Sequence, residues 1–405
     1  MRVVVTHMNL TLYWVPRLRE LARAVARQGG EVVGLEVASR GTPYDFAADP
    51  DRNGPVRWIT LFDEDIRALP PRTLAAALSR KLDEVRGDVV LAGAIAFVAG
   101  ATAVRWCRQH RRPVIIMDDA RRRDVPRSRL TNCVKRRIYR NVDAVLIPAA
   151  SHTPSFLDWG LPAERIFHGV SVVDNDWFAR RAHEVRAAPD DARRKLALPE
   201  RFFLGVGRQI PIKNWEGLIT EFARYRRSRP EAAWGLVLVG DGPIRADLEG
   251  LARRTAPGAV HFLPLLPQQD VAACYALAGA LVLPSFGETW GLVVNEAMAA
   301  GLPVLVSDGC GCCDALVRDG RNGWTFSPHP PGQLGGLLAR LADLDPHERE
   351  KMAAASREII ADWPAKRFAD GACQAIAACG DSAGGFHSPA DRALLRLWKG
   401  RFRPK

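Results

Sequence analysis

The 405-residue chain contains no uninterrupted apolar run of the ~20 residues that a membrane-spanning helix requires. Its longest uncharged run, VVLAGAIAFVAGATAV at 89–104, is rich in Gly and Ala and reads as a strand, a turn and a helix. RVVV near the start lacks the apolar region of a secretory signal, so none is expected. Eight cysteines are few for this length. Cys274 and Cys373 sit in apolar helical segments, which fits reduced thiols in a cytoplasmic protein rather than a disulfide framework. One cluster, GCGCCD at 309–314, has no second Cys or His pair at metal-ligating spacing. It is expected to be a tight Gly turn, with Cys310, Cys312 or Cys313 as candidates to line a cleft.

At this length two domains are expected, each with its own core. Strands buried on both faces read as continuous apolar runs, and the N-terminal half offers RVVVTH, EVVGLEV, DVVLAG, PVIIMDD and AVLIPA, with YWVPRLRELARAVARQ as the first helix between them. The second half repeats the alternation, which predicts α/β architecture with two parallel sheets. Residues 1–172 form the expected first domain and 201–365 the second. Between them, 173–200 is charged, Ala-rich and poorly periodic, and reads as a linker. Residues 366–405 read as a C-terminal helix and basic tail.

Three segments of the second half carry chemistry. In PSFGETWGLVVNEAMAAGLPVLVSD, the strand ALVLP is followed by a turn, a helix that stops at Gly301 and Pro303, and a further strand. Glu288 lies in the turn and Glu296 about one helical turn beyond it. The amides of Trp290, Gly291 and Leu292, at the helix start, suit a phosphate. Taken alone the stretch is an ordinary helix with a solvated glutamate at each end. However, FLGVGRQIPIKN at 203–214 supplies a turn containing Gly207, the cations Arg208 and Lys213, and Asn214 as an expected helix N-cap. LVGDGP at 238–243 adds a third turn after a strand, with Gly240 and Asp241. A carboxylate, two cations, amide donors and a second carboxylate match the order sugar, diphosphate, ribose in a nucleotide sugar.

These segments, in this order and spacing, resemble the C-terminal domain of retaining GT-B glycosyltransferases, specifically glycosyltransferase family 4, over about residues 200–365. The resemblance implies two Rossmann-like doubly wound domains facing across a cleft, with the N-terminal one binding the acceptor. It implies that Glu288 contacts the donor hexose, Glu296 the ribose, and Arg208 and Lys213 the diphosphate. It also implies transfer with retention from a nucleotide diphosphate sugar to a glycan or lipid-linked acceptor. A sugar-nucleotide epimerase and a non-catalytic nucleotide-sugar-binding protein are the rival classes.

The N-terminal half departs from the common family pattern: the loop after its first strand, HMNLTLYW, has no glycine. Cleft contacts from this half would then fall to His7 or Asn9, and to Asp118 and Asp119 at the end of VIIMDD. Asp-x-Asp triplets occur at Asp49 and Asp51, Asp63 and Asp65, Asp174 and Asp176, and Asp343 and Asp345. None follows a strand of the donor-type domain, and two cations already serve the diphosphate. A metal-independent site with no cofactor beyond the donor substrate is expected. The formal charge is +12, concentrated at 121–140 and in ADRALLRLWKGRFRPK. Basic amphipathic segments of this kind suit an anionic membrane surface, at about 1 kcal/mol per basic residue. The expected setting is cytoplasmic, the two basic segments being either a solvated face and a helix docked on the protein or a peripheral attachment to the inner face of the membrane. No nucleic-acid-binding motif accompanies the charge.

Overall fold

A computed structural model describes residues 1–10, 12–41, 51–124, 127–230, 234–380 and 384–400. Two compact units divide them: the stretch up to Val172 together with the segment from Ala365, and Val173–Pro364.

The first unit holds seven strands, β1 (Arg2–His7), β2 (Glu31–Arg40), β3 (Val56–Asp65), β4 (Val89–Ala92), β5 (Val114–Met117), β6 (Ala144–Ile147) and β7 (Ile166–His168). They form one sheet in the order β3-β2-β1-β4-β5-β6-β7, parallel throughout. β4, β5 and β6 are buried along their whole length, as strands covered by helices on both faces must be. The second unit repeats the plan with six strands: β8 (Phe202–Val206), β9 (Gly235–Val239), β10 (Val260–Leu263), β11 (Ala280–Leu283), β12 (Val304–Ser307) and β13 (Gly323–Phe326), in the order β10-β9-β8-β11-β12-β13. In each sheet the strand order reverses once, between β1 and β4 and between β8 and β11. Loops leaving the carboxyl ends of such neighbours diverge, and the crevice between them is where open α/β sheets bind ligands.

Two expectations about organisation give way. The stretch 173–200 is helical rather than a linker: helices Asn175–Ala187 and Pro189–Leu196 belong to the second unit. Phe178, Ala182 and Val185 bury one stripe, Arg186 donates to the carbonyls of Ala276 and Ala300, and Lys195 pairs with Asp270 at 2.6 Å. The helix Ala365–Cys379 belongs to the first unit, where Phe368 meets Trp14 edge-on at 5.9 Å.

The glycine-free loop after β1 is held by β2. Leu10 N–H donates to Glu36, and the Asn9 amide group donates to the carbonyls of Ala38 and Ser39. Met8 and Leu10 are buried, so this loop is a packed corner rather than an open cradle. The acidic triplets have local roles. Asp174 caps its helix through Trp177 N–H, Asp345 forms a capping box with Glu348, Asp343 pairs with Arg229, and Asp63 and Asp65 pair with Arg40 and Arg67. Asp49 lies outside the described residues. Among the described residues no group of three or more His, Cys, Asp or Glu side chains has a metal-holding arrangement, and no helix is long and apolar enough to cross a membrane.

Candidate functional site

The reversal between β8 and β11 brings the first two chemical segments together. After β8 the chain turns at Gly207, with φ +153°. A Cβ there would lie 3.8 Å from Lys213 Cε and 3.9 Å from its Nζ, so the lysine arches back over the glycine. Gly240, with φ +132°, follows β9 and packs so closely that a Cβ would meet the Gly207 carbonyl oxygen at 2.2 Å. Only glycine fits such an approach. Gln209 ties the two turns: its N–H donates to Asp241 O at 2.8 Å and its side-chain amide to Gly240 O at 3.0 Å. Asp241 itself is exposed and accepts from Gly242 N–H. Arg208 is half-buried, and its carbonyl accepts from the Trp215 indole at 2.8 Å. Among the described residues no carboxylate pairs with the Arg208 guanidinium.

The loop after β11 is stitched to this one by two hydrogen bonds, Phe286 N–H to Ile212 O at 2.9 Å and Asn214 Nδ2 to Pro284 O at 3.1 Å. Between them Lys213 Nζ and Glu288 Oε2 form an ion pair, with 18% and 17% of the two side chains exposed. Cation and carboxylate, 75 residues apart in the chain, thus meet at the crevice. Asn214 is not a capping side chain. It adopts a left-handed backbone, φ 55°, that Asn tolerates, and spends its side chain on the second loop.

Beneath the Glu288 loop lies the cysteine turn. Glu288 N–H donates to Gly309 O, Gly311 N–H to Glu288 O at 2.9 Å, and Cys312 N–H to Trp290 O at 3.2 Å. Cys310, Cys312 and Cys313 are buried, so they support the loop from behind instead of lining an opening. Burial, ahead of the neighbouring thiols, pushes the Cys312 thiol well above its usual pKa. Gly291, with φ +108°, opens the helix Leu292–Ala299, which has no side-chain cap. A Cβ on Gly291 would lie 2.9 Å from Leu283 and 3.6 Å from Glu288 Cγ. Val294 N–H is the first to find a carbonyl, that of Gly291, and helix-start amides before it have no intrahelical acceptor.

Two side chains of this segment are more enclosed than their place in a turn and helix start suggests. The Trp290 ring is turned inward, 2% exposed, donating its indole N–H to Asn295 Oδ1 at 2.9 Å and packing on Trp363 at 5.1 Å, whereas its expected role rests on its backbone amide. Glu296 is not a solvated glutamate, being 4% exposed with Oε2 accepting from Tyr275 OH at 2.7 Å. Tyr275, Asn295, Gln209 and Trp363 were absent from the sequence-derived site. Gln209 lies inside the GRQIPIKN segment and was visible there, whereas Tyr275 and Trp363 carry no local signal.

The remaining candidates belong to the first unit, at the β1 and β5 carboxyl ends. His7 rests over Gly93, where a Cβ would come within 2.4 Å of its ring, and between Trp14 and Phe97. Its Nδ1 lies 3.1 Å from Asn9 O. A carbonyl only accepts, so Nδ1 carries the proton. Burial, with a smaller push from Arg17, lowers the His7 pKa to about 4, leaving a neutral ring whose Nε2 accepts. Asp118 is turned inward: it takes Tyr139 OH at 2.6 Å and Ala120 N–H at 2.9 Å, and is a structural group rather than a cleft residue. Asp119 is half-buried, and its charge raises the pKa of Arg17, against the larger effect of burial.

Residues 189–359 match the family described as glycosyl transferases group 1. Similar curated proteins include the D-inositol 3-phosphate glycosyltransferase of Thermomonospora curvata, 34% identical over 206 residues, or 48% of this chain and 47% of that one. The alpha-D-kanosaminyltransferase of Streptomyces kanamyceticus is 31% identical over 229 residues, or 56% and 55%. The chain thus matches about half the length of these curated relatives. Among solved structures, HepE from Anabaena, crystallised with UDP and glucose, shares the fold at TM-score 0.70 and 18% identity, over 93% of this chain and 99% of that one. Residues 189–359 are thus similar to the group 1 glycosyl transferases, and the two doubly wound α/β units have the GT-B fold.

Proposed function

We propose that the protein transfers a hexose or related sugar from a nucleotide diphosphate sugar to a glycan or lipid-linked acceptor, with retention at the anomeric carbon. The observation that carries this reading is the meeting of Lys213 and Glu288 at the β8/β11 reversal, above Gly207 and beside an Arg208 that has no acidic partner among the described residues. Such a site presents positive charge to a diphosphate and a carboxylate to sugar hydroxyls within one ion pair's reach. Gly207 and Gly240 let the backbone approach the phosphates, with the amides of Gly291 and Leu292 at the helix start assisting. Glu296, held by Tyr275, receives the ribose hydroxyls.

The chemistry follows from those positions. As the bond from sugar to phosphate breaks, negative charge gathers on the leaving oxygen, where Arg208 and Lys213 stabilise it without a metal ion. A carboxylate already engaged by an ammonium is a weak nucleophile, so Glu288 orients the sugar. The leaving phosphate itself takes the acceptor proton on the same face, which gives retention. The first unit binds the acceptor, with neutral His7 accepting a hydroxyl hydrogen at Nε2. UDP and glucose, present in the HepE crystal, are the first donor parts to test. The exposed Leu130 and Leu397, each set among arginines, support peripheral contact with an anionic membrane.

The test is incubation with a panel of labelled nucleotide sugars, with and without acceptors. Acceptor-dependent consumption with release of nucleoside diphosphate supports transfer. Acceptor-independent conversion of the donor would replace it with epimerisation, and donor binding with no turnover would leave a binding protein.

A further inference from the structure

The carboxylate of Glu296 is set by residues outside the segments that carry the site's chemistry. The last torsion of a glutamate is soft, so a carboxylate that must meet two neighbouring hydroxyls needs a partner to fix its plane. That partner is Tyr275, whose hydroxyl donates to Glu296 Oε2 at 2.7 Å. Tyr275 stands on the helix Gln268–Leu277, ahead of β11, and Glu296 on the helix Leu292–Ala299; both side chains are buried. A phenol hydroxyl sits at the end of a rigid ring with only two rotatable bonds, so the place of the ring decides where the carboxylate points.

The ring is held in turn by a third helix, Asn175–Ala187. Its buried Phe178 meets Tyr275 edge-on at 6.1 Å. Further along the same helix, Arg186 Nε donates to Ala276 O at 2.9 Å and Arg186 Nη2 to Ala300 O at 2.7 Å. Those carbonyls lie at the ends of the helices that carry Tyr275 and Glu296, where the intrahelical donors run out. One edge of a planar guanidinium, with its donors side by side, thus fixes the spacing of the two helix ends. Tyr225 shows what a packing tyrosine does instead. It too is buried in the second unit, but its hydroxyl accepts from the Trp234 backbone N–H.

We propose that Tyr275 is the positioning residue for ribose recognition. Held by Phe178 and Arg186, it aims the Glu296 carboxylate at the ribose hydroxyls, and the site thereby discriminates ribose from 2′-deoxyribose. This role rests on the reading of the second unit as a nucleotide-sugar site.

Calorimetry on the full chain measures Kd for UDP, ADP and GDP, each beside its 2′-deoxy form. The wild type is compared with Tyr275→Phe, Glu296→Gln, the double variant and Tyr225→Phe, with circular dichroism checking each fold. The wild type is expected to bind its preferred ribonucleotide roughly tenfold or more tighter than the deoxy form, the scale of one charged hydrogen bond. Tyr275→Phe should cut that ratio to less than about threefold, mainly by weakening the ribonucleotide. It should change nothing further in a Glu296→Gln background, because both substitutions remove the same interaction. Tyr225→Phe, which loses a hydroxyl away from Glu296, should keep the wild-type ratio. Should Tyr275→Phe fail to fold, Arg186→Lys, which cannot bridge both carbonyls in parallel, must lower the ratio in its place. No discrimination in the wild type, or an unchanged ratio in Tyr275→Phe, would overturn the positioning role and leave the donor site standing. Failure of the wild type to bind any of these nucleotides would overturn it together with the donor reading.

Discussion

Replacing Lys213 by Ala removes the ammonium that pairs with Glu288 above Gly207. Two unit charges ~4 Å apart at an effective dielectric near 20 interact by about 4 kcal/mol. A leaving oxygen that acquires most of one charge in the transition state should therefore draw roughly 2–4 kcal/mol from Lys213. That range agrees with the 10²–10³-fold effect on kcat typical of one preorganised electrostatic donor. Ground-state binding should fall less, because only part of that charge is present before bond breaking. The variant also takes this cation away from Glu288, whose side chain is only 17% exposed, so that more of its negative charge faces the phosphate. Adding Glu288→Gln to Lys213→Ala should then recover affinity for a nucleoside diphosphate but none of the lost kcat. Steady-state kinetics and calorimetry on the same preparations separate the two effects. If Lys213→Ala raises KM and leaves kcat unchanged, leaving-group stabilisation is the wrong role for this residue.

Glu296→Gln keeps the shape of a group held by Tyr275 but loses its charge, and donor affinity should fall roughly tenfold to a hundredfold, at about 1.5–3 kcal/mol per charged hydrogen bond. Unchanged affinity for the nucleoside diphosphate would remove the ribose role. Turnover should survive a chelator and gain little from added magnesium or manganese, since Arg208 and Lys213 supply the charge; complete loss that metal restores would contradict this. His7 titrates near 4 in the fold against 6.5 unfolded, so the unfolded chain binds the proton first as pH falls. Stability should therefore decline between about pH 6.5 and 4, by up to about 3 kcal/mol, and level off below that. His7→Phe should flatten this window in chemical denaturation, and an unaltered slope would show that His7 is not held neutral.

Legibility in the sequence followed burial. β4, β5, β6, β11 and β12 lie between helices and read directly as apolar runs. β3 escaped because it is a half-exposed edge strand paired only to β2, with its polar and apolar residues mixed, and β7 because it is three residues long. The helices at 175–196 looked like a linker because charge dominates them; what holds the first is a narrow stripe and the reach of Arg186 to distant carbonyls. Nothing in AKRFADGACQAIAAC says which sheet its apolar face will cover. At the site, Arg208, Lys213, Glu288 and Glu296 were legible because each sits in a turn or helix start at a strand's carboxyl end. The Lys213–Glu288 contact was not, because it depends on β8 and β11 being neighbours. Asp118 was misjudged because its partner, Tyr139, comes from a helix further along the chain.

The central claim is that a nucleotide diphosphate sugar occupies the crevice between the β8 and β11 loops. Amide hydrogen exchange with and without UDP-glucose, followed by other nucleotide sugars, tests it without depending on an acceptor. Slowed exchange confined mainly to 207–214, 240–242 and 286–296, and lost in Lys213→Ala, is the predicted result. Protection centred elsewhere in the chain, or the same protection in Lys213→Ala, would contradict it.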